Sequence, residues 1–402
     1  MNIEEFVGKM KNIQSSLLEF LDDESDAEEK YEKFVKLITR LQIINEKHEF
    51  KALLQLINQI SDSHHRVHNF ISKIERLLEY FKKDIQKYFL NSEIFNIFKN
   101  NKRILLFLME EKIMTIDEYI FSQIMRDEYN KLNYPEYFFP EIKPFLTKEI
   151  IEKYSSKNSN IKNEELIYQI KNEIENDFYE KRREGENDDY ICKLIRNNEI
   201  KEFIAFVNQA HLPLDSFIKK SIFETNPLLI DSEEITRLIY KYDIKLIEYA
   251  SFFGSIDIIK YMHLNGAELT SNMWYYTVHS RNAELIKYLE ENHVPAPYDD
   301  FNPILSESIK CHHNEISIYI IENLIKEENL QNDIKNKYFI NLYRFAVKFF
   351  NYCFFPENMK YKNMFFYLCE FDYYTLVKLY LEERNIDVNA RDIKTFNYSN
   401  DI

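Results

Sequence analysis

Two histidine-rich stretches are the first places where this chain could do chemistry. His64, His65 and His68 include an i, i+4 pair that could ligate a metal from one helical face. Cys311, His312 and His313 set a thiol beside two imidazoles. No further Cys or acid at a fixed spacing completes the first set, and neighbouring residues of a helical hairpin point in different directions. The spacing therefore favours solvated or capping histidines in the first stretch and turn histidines in the second. The four glycines, Gly8, Gly185, Gly254 and Gly266, cannot assemble a phosphate loop or a dinucleotide fingerprint. Neither GxSxG nor HExxH occurs, and no cysteine stands in a nucleophile signature. Asp188, Asp189, Asp299 and Asp300 flank turns and read as solvated charges or helix N-caps. No catalytic residue, cofactor or metal site is expected.

The elements that would position any site repeat themselves. LIEYASFFGSIDIIKYMHLNGAELT, with Gly254 and Gly266 ending two short helices, recurs as WYYTVHSRNAELIKYLEENHVPAP. Asp257 matches Glu284, Ile258 and Ile259 match Leu285 and Ile286, and Tyr261 matches Tyr288, all at an offset of 27. A third copy carries Glu315, Ile316, Tyr319 and Ile320. Such self-similarity means stacked units with a continuous core between neighbours. The acids begin each second helix, where they complement its dipole, and the tyrosines form a ladder between units.

Upstream, apolar residues at helical spacing predict helices through Leu17–Leu21, Phe34–Ile44, Phe50–Ile60 and a long one over Val67–Tyr88. Asn101 and Lys102, followed by Ile104, Leu105 and Leu108, suggest a cryptic repeat. Pro135, Pro140 and Pro144 rule out a continuous helix, so an ordered aromatic connector is expected there. SSKNSNIKNEE and EGENDD mark the polar stretches at which the chain divides. The expected segments are 1–92, an N-terminal helical region; 93–156, cryptic repeat and connector; 157–188, a charged linker helix; 189–330, the repeats; and 331–402, C-terminal helices with a last hairpin. No strand-like alternation stands out, and the fold class is all-α.

The copy GSIDIIKYMHLNGAELT resembles the second half of an ankyrin repeat, and NIDVNARD closes in the same style. The family's T-P-L-H opening is replaced by Lys245, Leu246, Ile247 and Glu248. With SIFETN, ELIKYLEENHV and SIKCHHNEI, the stretch from Glu93 to Asp392 is similar to the divergent ankyrin proteins of trichomonad-type protists, in which a domain of unknown function precedes ordinary repeats. The resemblance implies a helical-hairpin solenoid of imperfect ankyrin-type repeats and a protein-binding role. Only Ser271 and Asn272 separate Thr270 from the next helix, so the units should lack full β-hairpin fingers. Binding would then fall to the concave face, at Phe252, Phe253, Tyr275, His279 and Lys310.

The expected function is a non-catalytic protein-interaction module or scaffold. A metal-dependent hydrolase using the His and Cys clusters is the alternative, and an adaptor subunit or fragment of a larger ankyrin protein is another. A net charge of −15 argues against nucleic acid. The lack of a long apolar run, with four scattered cysteines, points to a cytoplasmic protein without a membrane span. The last hairpin offers Tyr373, Tyr374, Val377 and Tyr380 as an open end, so a homodimer through that hairpin is expected.

Overall fold

The computed structural model describes residues 1–23, 28–65, 69–126, 132–147, 177–230, 243–325, 341–356 and 364–384. Among these residues the chain is helical, with no strand and one isolated antiparallel bridge, Phe217 to Lys245. The helices used below are α1 (Ile3–Leu21), α2 (Glu28–Arg40), α3 (Lys47–Ser63), α4 (Phe70–Tyr80), α5 (Lys82–Tyr88), α6 (Asn91–Phe98), α7 (Lys102–Glu110), α8 (Glu118–Ile124), α9 (Phe178–Glu184), α10 (Tyr190–Arg196), α11 (Ile200–Ala210), α12 (Leu246–Phe253), α13 (Ile256–Leu264), α14 (Met273–Ser280), α15 (Ala283–Glu291), α16 (Asn302–Lys310), α17 (Asn314–Tyr319), α18 (Met364–Glu370) and α19 (Tyr374–Arg384). No helix among the described residues is long and apolar enough to cross a membrane. SSKNSNIKNEE, NIDVNARD, His68 and most of the expected linker helix lie outside them.

Packing divides the chain into two units. One comprises Met1–Ile60, Arg66–Ile74 and Leu305–Ile402; the other comprises Ser61–His65 and Glu75–Ile304. In the first, α1 begins with a capping box: Asn2 Oδ1 accepts from the Glu5 amide at 2.8 Å, and Glu5 accepts from the Asn2 amide at 2.9 Å. Its stripe of Phe6, Met10, Ile13, Leu17 and Phe20 is buried. The helix packs against α2 and against α19, where the Ile3 amide donates to Glu383 at 2.8 Å. Tyr373 and Tyr380 are consequently buried, which corrects the expectation of an open apolar end and removes the motive for dimerisation there. Of that set only Tyr374 is exposed, and it stacks on His48 at 3.7 Å.

In the second unit, α10 with α11, α12 with α13, and α14 with α15 form consecutive hairpins. Each first helix packs on the next, α10 on α12 and α12 on α14, while α11 meets α13. The repeats seen in the sequence are thus hairpins stacked in order. The α6–α7 pair forms a further hairpin, with Asn101 accepting from the Ile104 amide at 3.0 Å as N-cap. The proline-rich connector is ordered as two single turns, Tyr134–Tyr137 and Phe139–Ile142, with Tyr134, Tyr137, Phe138 and Phe139 buried.

Two helix boundaries differ from the sequence reading. The long helix ends at Tyr80 and restarts at Lys82, because Phe81 has ψ near −1° and bends the axis. The expected aromatic helix ending at Pro356 is helical over 341–348, turns at Phe350 with φ 53°, and ends in a 3-10 turn over Tyr352–Phe354. The apolar pattern alone could not register these breaks, since neither contains glycine or an internal proline.

Candidate functional site

The turn inside each hairpin is built the same way. The residue closing the first helix is left-handed: Asn198 at φ 52°, Gly254 at 67°, Arg281 at 53° and His312 at 60°. Where the chain re-enters, the Glu199, Ser255 and His313 amides bond to the carbonyls of Leu194, Ala250 and Ser308. That 6→1 bond is the Schellman closure. Gly254 was legible as a turn glycine, whereas the other three positions hold residues that carry no such signal.

The residue after the left-handed one ties one hairpin to its predecessor. Ser255 Oγ donates to the Ile195 carbonyl at 2.5 Å, and Asn282 Nδ2 donates to the Gly254 carbonyl at 3.1 Å. Asn282 Oδ1 also accepts from the Glu284 and Leu285 amides, capping α15. In the other unit Asn351 repeats the pattern, donating to the Ile309 carbonyl at 3.0 Å. The repeated acids join this ladder: Asp257 accepts from Asn198 at 2.9 Å, and Glu284 pairs with Lys260 at 2.6 Å. Tyr261 meets Phe203 edge-on at 6.3 Å, and Tyr288 Oη lies 2.7 Å from His263 Nδ1. Each of these two tyrosines reaches the preceding hairpin, as the sequence reading expected.

The residues expected on an open concave face are placed otherwise. Phe252, Tyr275 and His279 are buried, at 5%, 4% and 1% exposure, and Phe252 stacks on His279 at 5.0 Å between adjacent hairpins. Phe253 is half-buried against Phe252 and Tyr249. Lys310 is half-buried and paired with Glu307 at 3.5 Å. Every residue of α14 from Met273 to His279 is buried, as is α12 from Leu246 to Phe252. Helices buried all round belong to an interior, so the outward register assigned from the sequence is corrected.

The histidine stretches also resolve. His64 is buried and its ring lies 4.5 Å from that of His65; both fall between α3 and α4 rather than at the start of a helix. Cys311, His312 and His313 are buried at the α16–α17 turn, the location expected for turn histidines. Burial raises the Cys192 thiol to about 12 and also pushes the thiols of Cys311, Cys353 and Cys369 upward. Upward shifts keep a thiol protonated and weaken it as a nucleophile.

No protein-family model, curated protein or solved structure matches the chain.

Sequence reasoning missed a buried charged cluster in the second unit. Lys102, placed at a turn by the sequence, is 1% exposed; its Nζ donates to the carbonyls of Ile222 at 2.8 Å and Leu132 at 3.3 Å and sits 4.9 Å from the Tyr137 ring centre. Burial pushes the amine down to about 7, against the pull of Glu224 and Glu136. Glu224 accepts from the amides of Asn187, Thr225 and Asn226, fixing the connector after α11. Arg182 grips Glu141 with two nitrogens at 2.7 and 2.9 Å and donates to the Tyr137 carbonyl. These groups hold irregular backbone in place, a role that calls for buried donors and acceptors.

The surface that remains free is the edge formed by the loops between hairpins. The loops of α11–α12 and α13–α14 are joined where Asp215 accepts from the Glu268 amide at 3.4 Å. The next loop is fixed by Trp274, whose Nε1 donates to the Val294 carbonyl at 3.0 Å and whose ring meets Phe301. Phe217 and Tyr298 stand out from this edge, 54% and 69% exposed. Tyr298 and Asp299 are both left-handed, at φ 59° and 55°.

Proposed function

We propose that the chain is a protein-interaction module or scaffold rather than an enzyme, and that its hairpins are imperfect ankyrin-type repeats. The observation that carries this reading is the order of the stack: three consecutive hairpins, cross-tied by side-chain bonds, present their connecting loops along one edge. That edge holds exposed aromatic residues, which isolated surface positions rarely need and interface hot spots favour. Phe217 and Tyr298, rather than the buried Phe252 and Tyr275, are the anchors in this proposal. A non-catalytic role is supported by the buried titratable groups described above, whose partners are largely backbone carbonyls and amides. A cytoplasmic setting and a protein partner, not nucleic acid, belong to the same reading.

The test is affinity capture from the source cell with quantitative mass spectrometry. It compares the natural chain with a Phe217→Ala, Tyr298→Ala variant whose circular dichroism is unchanged. A partner retained by the first and lost by the second is the expected result. Equal capture by both would remove the loop edge as the binding surface.

A further inference from the structure

In the unit made from both ends of the chain, three buried polar side chains meet. Gln14 lies on α1, His312 at the α16–α17 turn, and Asn351 just before the 3-10 turn; they are 0%, 3% and 0% exposed. His312 Nε2 lies 3.0 Å from the Phe349 carbonyl oxygen, which has no proton to give, so Nε2 carries the hydrogen and donates. Nδ1 is then the acceptor for Gln14 Nε2 at 2.9 Å. The orientation of the Gln14 amide is fixed independently. Its Oε1 accepts from the Tyr352 amide at 2.8 Å, and its Nε2 also donates to Asn351 Oδ1 at 2.8 Å. Asn351 is fixed in turn, because its Nδ2 donates to the Ile309 carbonyl and to Asn314 Oδ1.

This arrangement accommodates a neutral imidazole. A proton added at Nδ1 would set two donors against each other at a buried contact, and turning the Gln14 amide to accept would point its NH2 at the Tyr352 N–H. We propose that the network is an acid-released latch, in which protonation of His312 at Nδ1 frees α1 from the Asn351 turn and from α19. The latch goes beyond the binding role proposed above and does not depend on it. The elements around the ring carry these titratable or charged groups: Lys11 on α1; Glu307, Lys310 and Cys311 at α16; His313 and Glu315 at α17; Cys353 on the 3-10 turn. Lys310 is paired with Glu307, and Cys353 lies toward Lys11, Ser15 and Asn314. The two ring bonds go to uncharged groups, so neither offers a carboxylate to offset an added charge. Release would uncover Tyr373 and Tyr380 of the last hairpin, which lie beneath the only part of the latch able to leave as one helix.

Hydrogen exchange of the full chain, read by mass spectrometry at about pH 7.5 and about pH 5.5 and corrected for intrinsic exchange, tests this. The expected result is about tenfold faster exchange of the α1 amides at the lower pH, the ratio set by loss of one buried hydrogen bond, with α12 and α14 unchanged. His312→Asn keeps an oxygen for Gln14, suits the left-handed turn and does not titrate, so it should abolish the increment. Should that variant fail to fold, Gln14→Met decides: it removes the opposing donor, so α1 should exchange faster at both pH values with no acid increment. An α1 that exchanges alike at both pH values in the natural chain, or an increment that survives in a folded variant, would overturn the latch.

Discussion

Lys102 makes a pH dependence that can be worked through. Its amine is lowered to about 7 in the folded chain, whereas an unfolded lysine titrates near about 10.4. Between those values the unfolded chain binds the proton and the folded chain does not, so stability rises with pH across the window and its deficit is complete below it. Integrated over the whole window, the effect is about 5 kcal/mol, of which about 1.6 kcal/mol falls between pH 7 and about pH 8.5. The raised thiols of Cys192, Cys311, Cys353 and Cys369 act oppositely as the unfolded thiols begin to ionise, so the natural chain alone would give a flattened profile. The comparison that isolates Lys102 is therefore between the natural chain and Lys102→Met at both pH values. Urea unfolding in reducing buffer serves, followed by fluorescence of the single tryptophan, Trp274, which is buried in the same unit. The natural chain should gain about 1.6 kcal/mol on the variant between the two pH values. A difference that stays constant would refute the argument that burial governs this amine.

Two further substitutions probe the stack. Asn282→Ala removes the cap of α15 and the bond to the Gly254 carbonyl, and should cost about 2 kcal/mol in urea unfolding. Gly254→Ala places a Cβ 3.1 Å from Ser280 Cβ and 3.3 Å from Asn282 Cβ at φ 67°. The left-handed backbone costs about 1–2 kcal/mol by itself, and the contacts add to it, so a thermal midpoint equal to that of the natural chain would contradict the close approach of adjacent hairpins.

The 27-residue offset was enough to find α12–α13 and α14–α15, because apolar spacing and Gly254 are local signals. The α1 stripe and the proline-rich connector were legible for the same reason. Burial of Phe252, Tyr275 and His279 was not, since a helix of aromatic residues reads alike whether one face or all faces are covered. Lys102 and Gln14 were missed because a lone Lys or Gln on a helix normally faces water. What buries them is backbone distant in sequence: Ile222 accepts from Lys102 across 120 positions, and Tyr352 donates to Gln14 across 338. The expectation that α19 ended in an open face failed similarly, because α1 supplies the cover from the far end of the chain.

The most direct test of the central claim, that the first helices of the hairpins are interior and the loop edge is free, is hydroxyl-radical footprinting of the native chain. Phe217 and Tyr298 should be modified rapidly, while Phe252 and Tyr275 remain protected until the protein unfolds. Equal modification of Phe252, Tyr275 and the two loop residues would mean an open concave face and would contradict this account.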